Sequence, residues 1–228
     1  MALLTVPRAC AEPSGAVLRV AGTRVTVVDL TDDAALPGAK TRLTPGELER
    51  ARRGSPAVHR RRVLLRAALR TVLGAELGLA PDRVPLATTP LGRPHVAARG
   101  DLDVSCSASG ALGLVALGRR RIGIDVETVA PWSAGVLDEG WLDPVEQRAL
   151  TRLTDGDRAV AATRCWTQKE AVLKARGTGL RGDLAATVTA VGRTDGVVAG
   201  WQVHDVPVPH GWVASLAVAP QENKEIPS

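Results

Sequence analysis

The sharpest chemical signal in the chain is the hexapeptide Ile122-Gly-Ile-Asp-Val-Glu127. Alternate residues of an extended strand share a face, so Ile122, Ile124 and Val126 turn toward a core while Gly123, Asp125 and Glu127 turn the other way. Two residues along a strand span about 6.6 Å, which lets the Asp125 and Glu127 carboxylates converge on one ion between their tips. Either this is a solvated acidic face, or a hard divalent cation such as Mg2+ sits there and also takes phosphate oxygens. A second segment, Trp166-Thr-Gln-Lys-Glu-Ala-Val-Leu-Lys174, puts Glu170 and Lys174 four residues apart on one helical face, in the favoured acid-before-base order. They form either a surface ion pair, or a third acid (metal ligand or base) beside a phosphate anchor.

Three further segments offer cations and hydroxyls. In Gly92-Arg93-Pro94, Gly and Pro fix a turn from which the planar fork of Arg93 projects, as a solvated side chain or as a phosphate ligand. Ser105-Cys-Ser-Ala-Ser-Gly110 is expected to be a turn between strands, either a plain hairpin or a place where hydroxyls such as that of Ser107 meet an anion. The third is a run of eight arginines between Arg50 and Arg70 with no acid inside it. The formal net charge is +5, from 29 Lys and Arg against 24 Asp and Glu, and removing those eight leaves −3. The cationic excess is therefore local, which points to a phosphate-bearing or acidic partner.

The elements that must position these residues follow from local signals. Val17–Val20 and 24–30 read as strands. Thr44-Pro-Gly-Glu47 is a helix start with a capping box, for a short helix ending about Arg53. Ser55-Pro56 starts a second helix that stops near Gly78. Strands are expected at 102–106, 112–117 and 121–127. Asp143-Pro-Val-Glu146 then repeats the cap-Pro-Glu spacing, a long helix runs from about Asp155 to Arg176, and strands follow at 185–191, 197–204 and 212–218, before a polar tail from Pro220. The echo is consistent with two related α+β halves side by side, and equally with caps recurring for their own reasons.

With 228 residues and 45% hydrophobic content the chain can bury a large core. It has no Tyr or Phe and five Trp, too few aromatic faces for a base-stacking surface, which argues against nucleic acid as the partner of the arginines. Three cysteines without CxxC or Cys/His clusters support neither a disulfide framework nor a zinc site. With no secretory apolar run and no membrane span, a soluble cytoplasmic protein is expected.

Taken together, these motifs resemble the 4′-phosphopantetheinyl transferases, in their larger surfactin-type branch. IGIDVE matches the GIDxE strand of that family. WTQKEAVLKARGTGL matches W-x-x-K-E-A-x-x-K-x-x-G-x-G-L at every signature position, GRP matches the GKP/GRP turn, and SAS stands for S-H-S, all in family order across residues 92–180. The resemblance implies an α+β fold of two pseudo-symmetric halves, 1–120 bearing the coenzyme A phosphate contacts and 121–228 bearing the metal site and carrier contacts. It implies Mg2+-dependent transfer of the phosphopantetheine arm of coenzyme A to a serine of an apo acyl or peptidyl carrier protein, releasing adenosine 3′,5′-bisphosphate, by a monomer with no nucleic-acid or membrane partner. Asp125, Glu127 and Glu170 would hold Mg2+. Glu170 would also act as base, and Lys174 would steady the pyrophosphate. Arg93, Arg50, Arg62 and Ser107 would contact coenzyme A. The stretch 128–150, with exposed-looking Trp132 and Trp141, would meet the carrier. One departure is Ala108, where the family has a phosphate-binding His; Arg119–Arg121 are candidates to compensate. Ala108 keeps open the alternative of a non-catalytic module that grips coenzyme A or a carrier.

Overall fold

The N-terminal halves of the long helices are set by their caps. Thr44 caps helix α2 (Pro45–Ala51) and Asp143 caps α5 (Pro144–Leu150), each in a reciprocal capping box with Glu47 or Glu146, and each helix has Pro in its first turn. Ser55 caps α3 (Pro56–Leu77) and Thr154 caps α6 (Asp155–Arg176); both end on a left-handed glycine, Gly78 and Gly177. A short α1 (Leu36–Lys40) and α4 (Ala134–Leu137) complete the helices.

The structure is a computed structural model that describes residues 15–97, 99–179 and 183–221. Cys10, Leu180 and the tail past Gln221 lie outside them. The first antiparallel sheet has the order β1 (Val17–Val20), β2 (Thr23–Asp29), β6 (Leu112–Gly118), β5 (Asp103–Ser109). The second has the order β7 (Ile122–Thr128), β10 (Trp212–Val218), β9 (Trp201–Asp205), β8 (Gly196–Val198). A two-stranded ribbon, β3 (Leu86–Thr88) and β4 (Pro94–Val96), carries Gly92-Arg93 in its turn. One core lies under α3, with Val63, Leu69 and Leu73 against Val104 and Val115. A second draws on both sheets, packing Val25, Leu114 and Ala116 with Ile122, Ile124 and Val126, as the strand alternation predicts. No helix among the described residues is long and apolar enough to cross a membrane.

The repeated cap motif is a repeated structure. From Thr23 to Gly78, elements recur 99 residues on: β2 as β7, α2 as α5, α3 as α6, Gly78 as Gly177. The strand order β2-β6-β5 recurs as β7-β10-β9. Even the buried ion pairs repeat. Arg70 Nε donates to Glu47 Oε2 at 2.6 Å, and Lys169 Nζ donates to Glu146 Oε2 at 2.7 Å, in each case 23 residues apart. Both glutamates also cap their helix, and both cations also reach backbone carbonyls, Pro81 and Val84 for Arg70, Leu184 for Lys169. This mixed α/β architecture agrees with the α+β fold expected.

Three local expectations change. The expected strand 185–191 is a run of turns and bends. The Thr189 N–H and hydroxyl both go to Glu146 Oε1, at 2.7 and 2.5 Å, so a buried carboxylate takes the bonds a neighbouring strand would have made. The run 197–204 is a hairpin, because Ala199 (φ 49°) and Gly200 (φ 85°) form the turn between β8 and β9. Ser107-Ala-Ser109 belongs to strand β5, and the turn falls one residue later, at Gly110.

Lys169 is fully buried against an equally buried Glu146. Removing the ammonium leaves a buried carboxylate without its charge partner, so Lys169→Met should cost about 3–5 kcal/mol of unfolding free energy. Urea denaturation of the variant beside the parent measures this; a loss under about 1 kcal/mol would show that the pair is not what joins α5 to α6.

Candidate active site

Helix α6 crosses β7 at Gly123. A β-carbon there would lie 2.0 Å from the Ala171 carbonyl oxygen and 2.4 Å from the Ala175 nitrogen, so only glycine admits this approach. The contact sets the helix face bearing Glu170 and Lys174 alongside the strand face bearing Asp125 and Glu127. Lys174 Nζ donates to Asp125 Oδ1 at 2.5 Å and to Ser107 Oγ at 3.0 Å, while Ser107 Oγ donates to the same Asp125 oxygen at 2.7 Å. Ser109 Oγ donates to Glu127 Oε2 at 2.8 Å. Asp125 is 2% exposed and Glu170 9%, and one oxygen of each, Asp125 Oδ2 and Glu170 Oε1, is buried without a hydrogen-bond partner.

Burial, followed by repulsion from Asp125 and Glu127, pushes the Glu170 carboxyl above the usual range, against the pull of Lys174. Burial and Asp125 also raise Glu127, against the Ser109 hydrogen bond, Lys174 and Arg61. Burial alone would lower Lys174, but the charge and hydrogen bond of Asp125, together with Glu170, hold its ammonium above its ordinary value. The three acids line one seam rather than closing a cage: among the described residues no three His, Cys, Asp or Glu side chains are grouped tightly enough to hold an ion as they stand. Two buried, unpartnered carboxylate oxygens and mutual repulsion are nonetheless what a hard divalent cation relieves, so the donor set fits such an ion.

Two cavities open beside this seam. One, of about 520 Å³, is lined by Glu170, Lys174, Ser105 and the Gly177–Gly179 turn. The other, of about 450 Å³, is lined by Arg50, Arg53, Arg62 and Arg66. They share Gly92, Pro94 and Cys106, so one groove leads from the arginines to Glu170 and Lys174. Arg50 and Arg62 both line it. Much of the arginine run is neutralised by acids outside it, however: Arg60 by Asp33, Arg66 and Arg70 by Glu47, Arg52 by Glu49.

Other expected ligands are placed differently. Arg93 is 8% exposed and bonded to Asp103 Oδ2 at 2.5 Å, to the Ile122 carbonyl at 2.8 Å and to the Lys174 carbonyl. Those bonds tie β4, β5, β7 and α6 together, so its fork is a clamp and not a free phosphate ligand. Ser107 serves Asp125 and Lys174. Arg119 is held by Glu76 and Asp101, Arg121 by the Ala175 carbonyl and Arg120 by the Ala219 carbonyl, so this trio does not stand in for the missing His. Ala108 packs onto the core beneath α3. Trp141 is buried and Trp132 half-buried, in a cluster with Trp166 at centroid separations of 5.0–5.9 Å, so these rings are core rather than an exposed docking face. Sequence reasoning grouped Ser109 in the Ser105–Gly110 segment without seeing that the alternation Asp103-x-Ser105-x-Ser107-x-Ser109 puts four oxygen-bearing side chains on one strand face.

The raised carboxyls carry a stability consequence. Glu127 and Glu170 titrate in the ordinary range when unfolded and hold their protons to higher pH when folded. The native state therefore binds more protons across that window, and stability falls as pH rises through the folded values. With chelator present, Glu170→Gln should melt above the parent at pH 8, the gap closing on acidification toward pH 5; a series of thermal melts reads this, and a variant melting at or below the parent at pH 8 would contradict the repulsion described.

A family model described as the 4′-phosphopantetheinyl transferase superfamily matches residues 121–205, which span β7, α6 and the strands behind them. The 4′-phosphopantetheinyl transferase HetI of Nostoc sp. (strain PCC 7120) is 34% identical over 187 residues, covering 78% of this chain and 78% of its own length. The Synechocystis sp. (strain PCC 6803) protein slr0495, provisionally named as the same transferase, is 30% identical over 159 residues, covering 68% of this chain and 65% of its own. With the extent of these matches joined to the GIDxE strand and the Glu170/Lys174 helix meeting at one seam, the chain belongs to the 4′-phosphopantetheinyl transferase superfamily.

Proposed function

We propose that this chain transfers the 4′-phosphopantetheine arm of coenzyme A to a serine hydroxyl of an apo carrier protein, with Mg2+ held by Asp125, Glu127 and Glu170, and releases adenosine 3′,5′-bisphosphate. One observation carries the reading: buried, mutually repelling carboxylates with two unpartnered oxygens stand beside Lys174 at the end of a groove whose far end is lined by arginines. The ion, when bound, would neutralise charge on the phosphate oxygens.

The chain's own residues divide the work. Glu170, whose carboxyl burial and the neighbouring Asp125 push above its ordinary range, takes the proton of the carrier serine. The serine oxygen forms a bond to the phosphorus bearing the pantetheine arm, and the bond from that phosphorus to the bridging oxygen breaks, leaving with the nucleotide. Lys174, kept charged by Asp125, faces the negative charge that grows on those oxygens. Ser107 holds Asp125 and Lys174 in register. Arg50 and Arg62 bind the nucleotide phosphates at the cationic end of the groove. Arg93 acts at one remove, fixing the end of α6. Both walls of the seam belong to one polypeptide, 1–120 and 121–228 supplying one each, which supports a monomer.

Ala108 favours one second reading, in which coenzyme A or a carrier is bound without turnover. Incubating the protein with coenzyme A, Mg2+ and a panel of apo carriers and weighing the carriers separates the two. Transfer adds a phosphopantetheine mass, and Asp125→Ala abolishes the gain while circular dichroism stays unchanged. Coenzyme A binding by calorimetry with no mass gain on any carrier would leave the binding module; neither binding nor gain would dismiss both.

A further inference from the structure

The two sheets meet edge to edge at β5 and β7, yet these strands are not paired by a backbone ladder. Their seam is joined by the side chains of alternate β5 residues. Asp103 Oδ2 accepts the Ile122 N–H at 2.8 Å and Ser105 Oγ accepts the Ile124 N–H at 3.1 Å. Ser107 Oγ donates to Asp125, and Ser109 Oγ accepts the Thr128 N–H at 3.1 Å while lying 2.8 Å from Glu127 Oε2. Four consecutive rungs thus use side-chain oxygens where a continuous sheet would use carbonyls. The last two rungs reach carboxylates of the candidate site.

We propose that Ser109 is a positioning residue that holds the Glu127 carboxylate where the cation-binding trio needs it. A hydroxyl has one proton to give. Because Ser109 Oγ already accepts the Thr128 N–H, its proton is directed to the carboxylate beside it, Glu127; Thr128 Oγ1, 3.2 Å away, is then the donor of its own contact with Ser109. The serine backbone is fixed as well: its carbonyl accepts the Trp212 indole N–H at 3.2 Å, a bond from β10 of the opposite sheet. Ser109 is therefore held at both ends by the second sheet while its hydroxyl meets an acid that has no ammonium partner among the described residues. Asp125, by contrast, is held twice, by Ser107 and Lys174. Glu127 depends on one serine.

This inference rests on the proposed function in taking Glu127 as a cation ligand, and its test separates the two. Mn2+, a paramagnetic probe for the Mg2+ position, is titrated into the full chain without substrates and its free fraction read by electron spin resonance. Ser109→Val should weaken Mn2+ binding about tenfold, the usual scale for losing a hydrogen bond to a metal-ligating side chain. Ser109→Thr, the same shape with a hydroxyl, should restore it to within about twofold. Thr189→Val, which removes a buried hydroxyl bond to Glu146 outside the seam, should lower the melting temperature and leave Mn2+ affinity unchanged. Should Ser109→Val not fold, Ser109→Cys keeps the volume with a poor donor and takes its place. Parental affinity in Ser109→Val, or equal weakening in Thr189→Val, overturns the positioning role. Absence of Mn2+ binding by the parent overturns the cation reading itself.

Discussion

The approach of α6 to β7 at Gly123 is the constraint on which the rest depends. A helix usually rides on a sheet at a distance set by its side chains. Here the strand residue has none, and the helix backbone settles onto the strand at Ala171 and Ala175. That brings an acid and an ammonium one turn apart on the helix level with two acids on the strand. Burial in this packing pushes the carboxyls of Glu127 and Glu170 above their ordinary range, while Asp125 and Glu170 hold the Lys174 ammonium charged beside Asp125. The chemical character of the site is thus a consequence of packing: the same side chains on a solvated face would repel weakly and titrate normally.

The internal repeat is one of scaffold rather than of charge. Counting back 99 residues, Asp125 corresponds to Thr26, Glu127 to Val28, Glu170 to Thr71 and Lys174 to Ala75. The repeat retains what holds a half together, namely the capping boxes, the buried cation–glutamate pairs and the glycine-capped long helices. It does not retain the charged quartet. Gly123 corresponds to Arg24, whose side chain reaches the Val72 carbonyl and Glu76 on α3. Scaffolding is duplicated, and the charged quartet stands in the second repeat with β5 as its opposite wall.

Charge in this chain is also reallocated by folding. The arginine run looks uncompensated because its acids, Asp33, Glu47 and Glu49, sit upstream of it. Four of its members are structural, and the surplus that reaches the groove comes from Arg50, Arg53 and Arg62. The signature lysine of the helix motif, Lys169, is likewise structural: it neutralises Glu146, which in turn caps α5 and organises the segment around Thr189. Signature residues of this kind keep the site in place without touching it.

Local physics made much of the chain legible before any tertiary structure. Thr44/Glu47 and Asp143/Glu146 announce helix starts and Gly78 and Gly177 announce helix ends, because caps and left-handed glycines act within one turn. The facing of Asp125 and Glu127, and of Glu170 and Lys174, follows from strand and helix periods alone. What sequence could not yield was partnership across the chain. Arg93 is bonded to a carbonyl 81 residues away, Ser107 to an acid 18 residues away, and Trp132 and Trp141 turn inward onto Trp166. A guanidinium in a turn, a hydroxyl near a turn and a lone indole look alike whether buried or exposed, since their burial is decided by which distant elements close over them. The periods and caps fixed what each segment could present; only the meeting of the two sheets along a seam without a backbone ladder decided which atoms it would present them to.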